Sequence, residues 1–129
     1  MEKVLGIGGL FFRSKDPGTL AQWYADVLGI SPAPQDYDTP AWRTGGGTTV
    51  FAPFAQDTDY FARPDQQWMV NFRVADLDAM IRQIEQSGTS VTIEGDFPNG
   101  RFARLTDPEG NPIQLWEPGK NDANVEENR

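Results

Sequence analysis

Asp107-Pro108-Glu109-Gly110-Asn111-Pro112-Ile113-Gln114-Leu115-Trp116-Glu117-Pro118 is the stretch from which the rest of this 129-residue chain can be read. Asp-Pro-x-Gly carries the residues of a type I turn: Asp at the first position, Pro presetting φ at the second, Gly at the fourth. Arg101 to Leu105 enters the turn as a strand, and Ile113-Gln114-Leu115-Trp116 leaves it with side chains alternating between two faces. The result is a hairpin with a polar group, Gln114, on one face of its exit strand. What Gln114 points at is the functional question.

Upstream of the hairpin the same grammar recurs. Val4 to Arg13 reads as a buried strand, with Gly6, Gly8 and Gly9 allowing close backbone approach. Asp16-Pro17 opens a helix, Leu20, Trp23, Tyr24, Val27 and Leu28 form its apolar face, and Gly29 closes it. A Pro-rich loop, residues 31–40, precedes two short strands at Trp42–Thr44 and Thr48–Phe51, joined by Gly45-Gly46-Gly47. That glycine run lacks the Lys and the strand–helix setting of a phosphate loop, so it reads as a hairpin turn. Residues 52–67 form a polar and aromatic connector. Trp68 to Val74 alternates as a strand, Asp76 to Gln86 is a helix with Leu77, Met80, Ile81 and Ile84 on one face, and Gly88 ends it. Val91 to Ile93 begins another strand, and Gly95 to Gly100 reads as a loop. The segment from Asn121 to Arg129 is polar, as frayed termini are.

The two halves match at an offset of about sixty residues, the kind of repeat that fixes architecture. Phe12, Arg13 and Asp16 fall on Phe72, Arg73 and Asp76, and Leu20 falls on Met80. The offset grows to about sixty-three at the hairpins, where Gly47 falls on Gly110 and Phe51 on Gln114. Each half is strand, helix, then three strands. Two such units, each small for a core of its own, would pair their sheets and enclose a space. The expected fold class is α+β, with two βαβββ modules in one domain, residues 1–118. The modules cover about 4–54 and 68–118, followed by a polar tail at 119–129.

Composition removes several kinds of chemistry. The chain has no His and no Cys, which excludes Ser-His-Asp and Cys-His catalysis and almost every zinc or non-haem iron site. An all-oxygen site for Mg or Mn remains open to it. Its net charge is −8, nearly all of it on the body before Pro118, which argues against nucleic acid as a partner. The same charge permits a cationic ligand or serves solubility alone. No apolar run is long enough to span a membrane, and Met1-Glu2-Lys3 leads straight into a strand-like segment without a signal peptide. The absence of cysteine fits a cytoplasmic location.

Phe11 to Asp16 with Trp23-Tyr24 and Val27-Leu28-Gly29, then Phe72 to Asp78, then Asp107 to Asn111 through Leu115-Trp116-Glu117, together resemble the vicinal oxygen chelate superfamily. That group includes glyoxalases, extradiol dioxygenases and bleomycin-resistance proteins. The resemblance covers about Val4 to Pro118 and implies a cupped mixed sheet, usually in a homodimer. In metal-dependent members one inward position on each of four strands supplies a ligand. By resemblance these positions are Gly9, Phe51, Met69 and Gln114 here, and only Gln114 has an oxygen to offer. One neutral amide does not hold a catalytic cation, so no metal and no cofactor are expected.

Period-two alternation sets Phe11 and Arg13 on the face of Gly9, Asn71 and Arg73 on that of Met69, and Trp116 with Gln114. The expected ligand-binding wall is thus Phe11, Phe51, Met69, Asn71, Gln114 and Trp116, with Arg13 and Arg73 toward its ends. Trp42, Phe54, Tyr60, Phe61 and Trp68 suit a planar or cationic ligand at its mouth, or the packing of a dimer. Apolar walls with a few polar groups are the usual composition of a small-molecule site. The alternative is a cup filled by its own side chains, which would leave Asn71 and Gln114 in need of partners. Arg13 and Arg73 could hold an anion or close salt bridges at strand ends. The expected function is metal-independent binding of an aromatic or cationic small molecule, of the bleomycin-resistance type. The alternatives are a glyoxalase-like lyase or dioxygenase-like enzyme with an atypical site, and a structural or interaction module.

Overall fold

The computed structural model describes residues 1–119. Two helices, α1 (Pro17–Leu28) and α2 (Leu77–Gln86), accompany four strands, β1 (Val70–Arg73), β2 (Thr92–Phe97), β3 (Gly100–Thr106) and β4 (Pro112–Pro118). The sheet order is β1-β4-β3-β2, with β1 parallel to β4 and the other pairs antiparallel. This is a mixed sheet in an α+β fold, open rather than closed.

The Asp107 turn forms as its residues dictate. The Gly110 N–H donates to the Asp107 carbonyl at 2.9 Å, and the Asp107 N–H donates to the Asn111 carbonyl at 3.0 Å. Gly110 stands at φ 85°, the left-handed residue that closes a three-residue hairpin loop. The buried Asp107 carboxylate organises the turn. Its Oδ1 accepts from the N–H groups of Glu109 (2.9 Å) and Asn111 (3.0 Å). Its Oδ2 accepts from Asn111 Nδ2 and from the Tyr24 hydroxyl, both at 2.7 Å. Tyr24 belongs to α1, so this hydrogen bond ties the first half of the chain to the hairpin. Burial, then the hydrogen bond to Asp107, pushes the Tyr24 phenol far above its ordinary pKa.

Both helices are capped by the residues that announce them. Asp16 accepts from Thr19 N–H at 3.1 Å, and Asp76 accepts from Ala79 N–H at 3.0 Å. The Gly29 N–H closes α1 on the Ala25 carbonyl at 3.1 Å. Leu20, Tyr24, Val27 and Leu28 of α1 meet Leu77, Ile81 and Ile84 of α2 over one face of the sheet, where Ala103, Leu105, Ile113 and Leu115 complete the core. Val70, Phe72 and Val74 pack against this cluster, as alternation requires. Each buried aliphatic side chain contributes roughly 1.5–3 kcal/mol of burial free energy. Glu109 adds a second clip between the halves, accepting from Ser14 Oγ at 2.7 Å and Lys15 N–H at 2.8 Å. The Lys15 N–H, followed by Ser14, holds the Glu109 carboxyl below its ordinary pKa.

Two element readings differ from expectation. Residues 4–13, 42–44 and 48–51, expected as strands, carry no ladder in the single chain. Strand character is completed only by a neighbouring edge, and glycine at 6, 8, 9 and 45–47 weakens these segments as strands on their own. The expected loop from Gly95 to Gly100 is mostly strand. β2 continues to Phe97 through a bulge between Ile93 and Gly95, and pairs with β3 across Pro98-Asn99. The polar tail falls outside the described residues, apart from Gly119.

Candidate functional site

The sheet face turned away from the helices carries Asn71, Gln114, Arg104 and Glu94 side by side. Register makes the row: Asn71 of β1 stands opposite Gln114 of β4, which stands opposite Arg104 of β3. The bulge supplies the last member by leaving Glu94 out of the β2–β3 pairing and aiming its side chain onto this face.

Gln114 is the hub. It is buried, and its amide oxygen accepts from Asn71 Nδ2 at 2.8 Å. Its Nε2 donates to the Tyr60 hydroxyl at 2.8 Å and to Glu94 Oε1 at 2.9 Å, which uses both amide protons. Arg104 Nε donates to Glu94 Oε2 at 3.0 Å, and its guanidinium lies 4.0 Å from the centre of the Tyr60 ring. Tyr60 stacks in turn on Phe54, with centroids 5.4 Å apart. A polar row with an aromatic roof results, and among the described residues no buried side-chain polar atom is left without a partner.

The structure brings some of the expected wall together and leaves other members apart. Asn71 and Gln114 are bonded to each other. Trp116 shares their face but is buried at the far end, stacked on Phe102 and donating to the Asn99 carbonyl at 2.9 Å. Arg73 donates to the Gly45 carbonyl at 3.0 Å, and Met69 is half-buried. Phe11 and Phe51 are 94% and 85% exposed, and Arg13 is exposed too. Trp42 packs edge-on against Phe72, on the helix side of the sheet. Arg104 was not among the expected site residues, although alternation from Phe102 would have placed it on this face.

The donor set does not fit the metal that the fold's chelating members use. The Gln114 amide oxygen already accepts from Asn71, Met69 offers a thioether unsuited to a hard divalent cation, and Gly9 and Phe51 offer nothing. No group of three potential ligands converges among the described residues. What the row can do chemically is present hydrogen-bond donors, one compensated ion pair and aromatic surface. A separate depression of about 390 Å³ lies beyond the β2–β3 turn, lined by Phe97, Pro98, Arg101 and Glu117 among others. There Arg101 is already engaged by Asp78 (2.9 Å) and Asp96 (3.1 Å), and the walls are surface ion pairs.

Helices over one face of a mixed sheet and a polar row on the other give the architecture of a glyoxalase-type domain; no helix among the described residues is long and apolar enough to cross a membrane. The chain belongs to the glyoxalase-like domain family, which it matches over residues 9–116. It is 34% identical over 108 residues to the anthracycline biosynthesis protein DauV of Streptomyces sp. (strain C5), covering 81% of this chain and 38% of that protein. Identity to the anthracycline biosynthesis protein DnrV of Streptomyces peucetius is 35% over 97 residues, covering 72% and 34%. The chain therefore spans little more than a third of the length of these relatives. Among solved structures, a glyoxylase/bleomycin resistance protein/dioxygenase domain from Frankia sp. EAN1pec superposes with a TM-score of 0.60 at 17% identity, over 96% of this chain and 99% of the other. TnmS3, an antibiotic binding protein from Streptomyces sp. CB03234, superposes with a TM-score of 0.50 at 22% identity, over 81% and 88%. These likenesses establish the glyoxalase/bleomycin resistance/dioxygenase fold.

Proposed function

We propose that this protein binds an aromatic or cationic small molecule on the helix-free face of its sheet, without a metal. The observation that carries the reading is the continuous row Asn71–Gln114–Glu94–Arg104 beneath the Tyr60–Phe54 roof. A neutral amide pair and a compensated ion pair orient a ligand by hydrogen bonds, and aromatic rings supply its apolar contact. Support also comes from relatives named for anthracycline biosynthesis and from the antibiotic-binding role of a protein with the same fold.

Titration by tryptophan fluorescence, with a thermal-shift screen across aromatic and cationic compounds, tests this. A ligand at a hundred times its Kd is expected to add about 2.7 kcal/mol to stability, a shift of several degrees. Gln114→Leu is expected to weaken such a ligand about tenfold or more, since the hub's donors are lost. No compound raising the melting temperature would sink the reading. A stoichiometric divalent metal in protein purified without chelators would overturn its metal-free part and favour a lyase- or dioxygenase-like enzyme instead.

The binding unit is proposed to be a homodimer in the cytoplasm. Leu5, Ile7, Leu10, Phe11, Val50 and Phe51 are all exposed in the single chain. A second copy presenting a sheet edge would let residues 4–13 and 48–51 pair as strands, bury those side chains, and complete two modules per site. Light scattering is expected to return twice the 14.4 kDa chain mass; a monomer at micromolar concentration would count against it.

A further inference from the structure

Tyr60 occupies the polar row in the way a ligand would. Its hydroxyl accepts from Gln114 Nε2 at 2.8 Å, its ring lies 4.0 Å from the Arg104 guanidinium carbon, and Phe54 stacks on that same ring. Tyr60 is carried by a segment without regular structure, held to the sheet at this point by Arg104, whose Nη1 also donates to the Tyr60 carbonyl at 2.5 Å. Residues 52–67 contain neither helix nor strand, and Tyr60 itself is 37% exposed. The turn that follows it puts Ala62 at φ 73°, a left-handed conformation unfavourable for a residue with a Cβ.

Resting on the reading of this face as the ligand site, we infer that Tyr60 is an internal occupant, and that the ligand is a planar hydroxylated aromatic which takes its place. The ligand's ring lies over Arg104 where the tyrosine ring lay, and its hydroxyl oxygen takes the Gln114 Nε2 hydrogen bond. A cation in the floor selects among aromatics. The Arg104 guanidinium attracts the electron-rich face of a phenolic ring and disfavours an aromatic cation. Glu94 offsets part of this preference without reversing it, because the group facing the ring, 4.0 Å from its centre, is the guanidinium. Because the closed segment blocks the site, apparent affinity is reduced by the fraction of molecules in which Tyr60 is out.

Binding of 1,8-dihydroxyanthraquinone, of unsubstituted anthraquinone and of N-methylacridinium to the full chain tests this. Tyr60→Ala is expected to bind the dihydroxy compound about tenfold tighter than wild type. Tyr60→Phe, which keeps the ring and loses the hydroxyl bond, is expected to fall between the two. Adding Gln114→Leu to Tyr60→Ala should reverse the gain for the dihydroxy compound and leave anthraquinone nearly unchanged. N-methylacridinium should bind at least tenfold more weakly than the phenol. Weaker or unchanged phenol binding by both Tyr60 variants, or preference for the acridinium, overturns the inference while leaving the ligand site standing. Failure of all three probes on every variant removes the ligand-site reading and this inference together.

Discussion

Asp107→Ala is expected to lower the free energy of unfolding by about 3–5 kcal/mol, because several donors lose their acceptor at once, at roughly 1–3 kcal/mol for each left buried and unsatisfied. Four hydrogen bonds end on the Asp107 carboxylate. Two of them, from the Glu109 and Asn111 N–H groups, fold the chain over the Pro108-Glu109-Gly110 loop. A third is the Tyr24 hydroxyl, which the substitution strands inside the core at roughly 1–3 kcal/mol. Asp107→Asn retains an acceptor for the loop and should cost less, roughly half. Tyr24→Phe should cost about 1 kcal/mol alone but recover roughly 1–3 kcal/mol in the Asp107→Ala background, since the stranded hydroxyl is then gone. Urea unfolding of the four proteins at one protein concentration measures the cycle. Additive costs would mean that the Tyr24–Asp107 bond is not what joins α1 to the hairpin.

Much of this fold was legible because its punctuation is local. Asp16-Pro17, Gly29, Asp76 and the Asp107–Gly110 turn each act through bonds within a few residues, and each does so here. The helix faces were legible for the same reason: Leu77, Ile81 and Ile84 recur at helical spacing and are buried. Strands of the first half were less so. Residues 4–13 have the composition of a strand, but a ladder requires a partner edge that composition does not name.

The site divides along the same line. Asn71 and Gln114 follow from alternation on two strands. Arg104 follows from counting out from the three-residue loop, which sets Asp107 opposite Asn111 and hence Arg104 opposite Gln114. Glu94 does not follow from counting, because the bulge shifts the register, and Gly95 beside it reads in sequence as the start of a loop. Tyr60 arrives from a connector without periodicity, and no pattern places it over Arg104.

Gly100→Ala carries the other large expected effect, about 3–4 kcal/mol, and it tests the hairpin that bears the bulge. Pro98 and Asn99 link Phe97 to Gly100 as a two-residue connection. Such connections favour turns with positive φ at their central residues, which Pro98 cannot adopt and Asn99 does not. Gly100 takes up the misfit at φ 138°, beside the end of β4. A Cβ there would collide with the Glu117 carbonyl oxygen and stand 2.6 Å from Trp116 Nε1. That indole N–H and the Gly119 N–H both donate to the Asn99 carbonyl, so any shift to relieve the collision breaks bonds that tie the turn to β4. Backbone strain of about 1–3 kcal/mol adds to a packing cost of similar size. Gly88→Ala is the control. It too has positive φ, at 94°, but its Cβ would meet nothing within 4 Å, so strain alone should cost about 1–2 kcal/mol. Urea midpoints at matched protein concentration separate the two terms. Equal losses at Gly100 and Gly88 would mean that β3 does not approach β4 this closely, and the register placing Arg104 opposite Gln114 would fall with it.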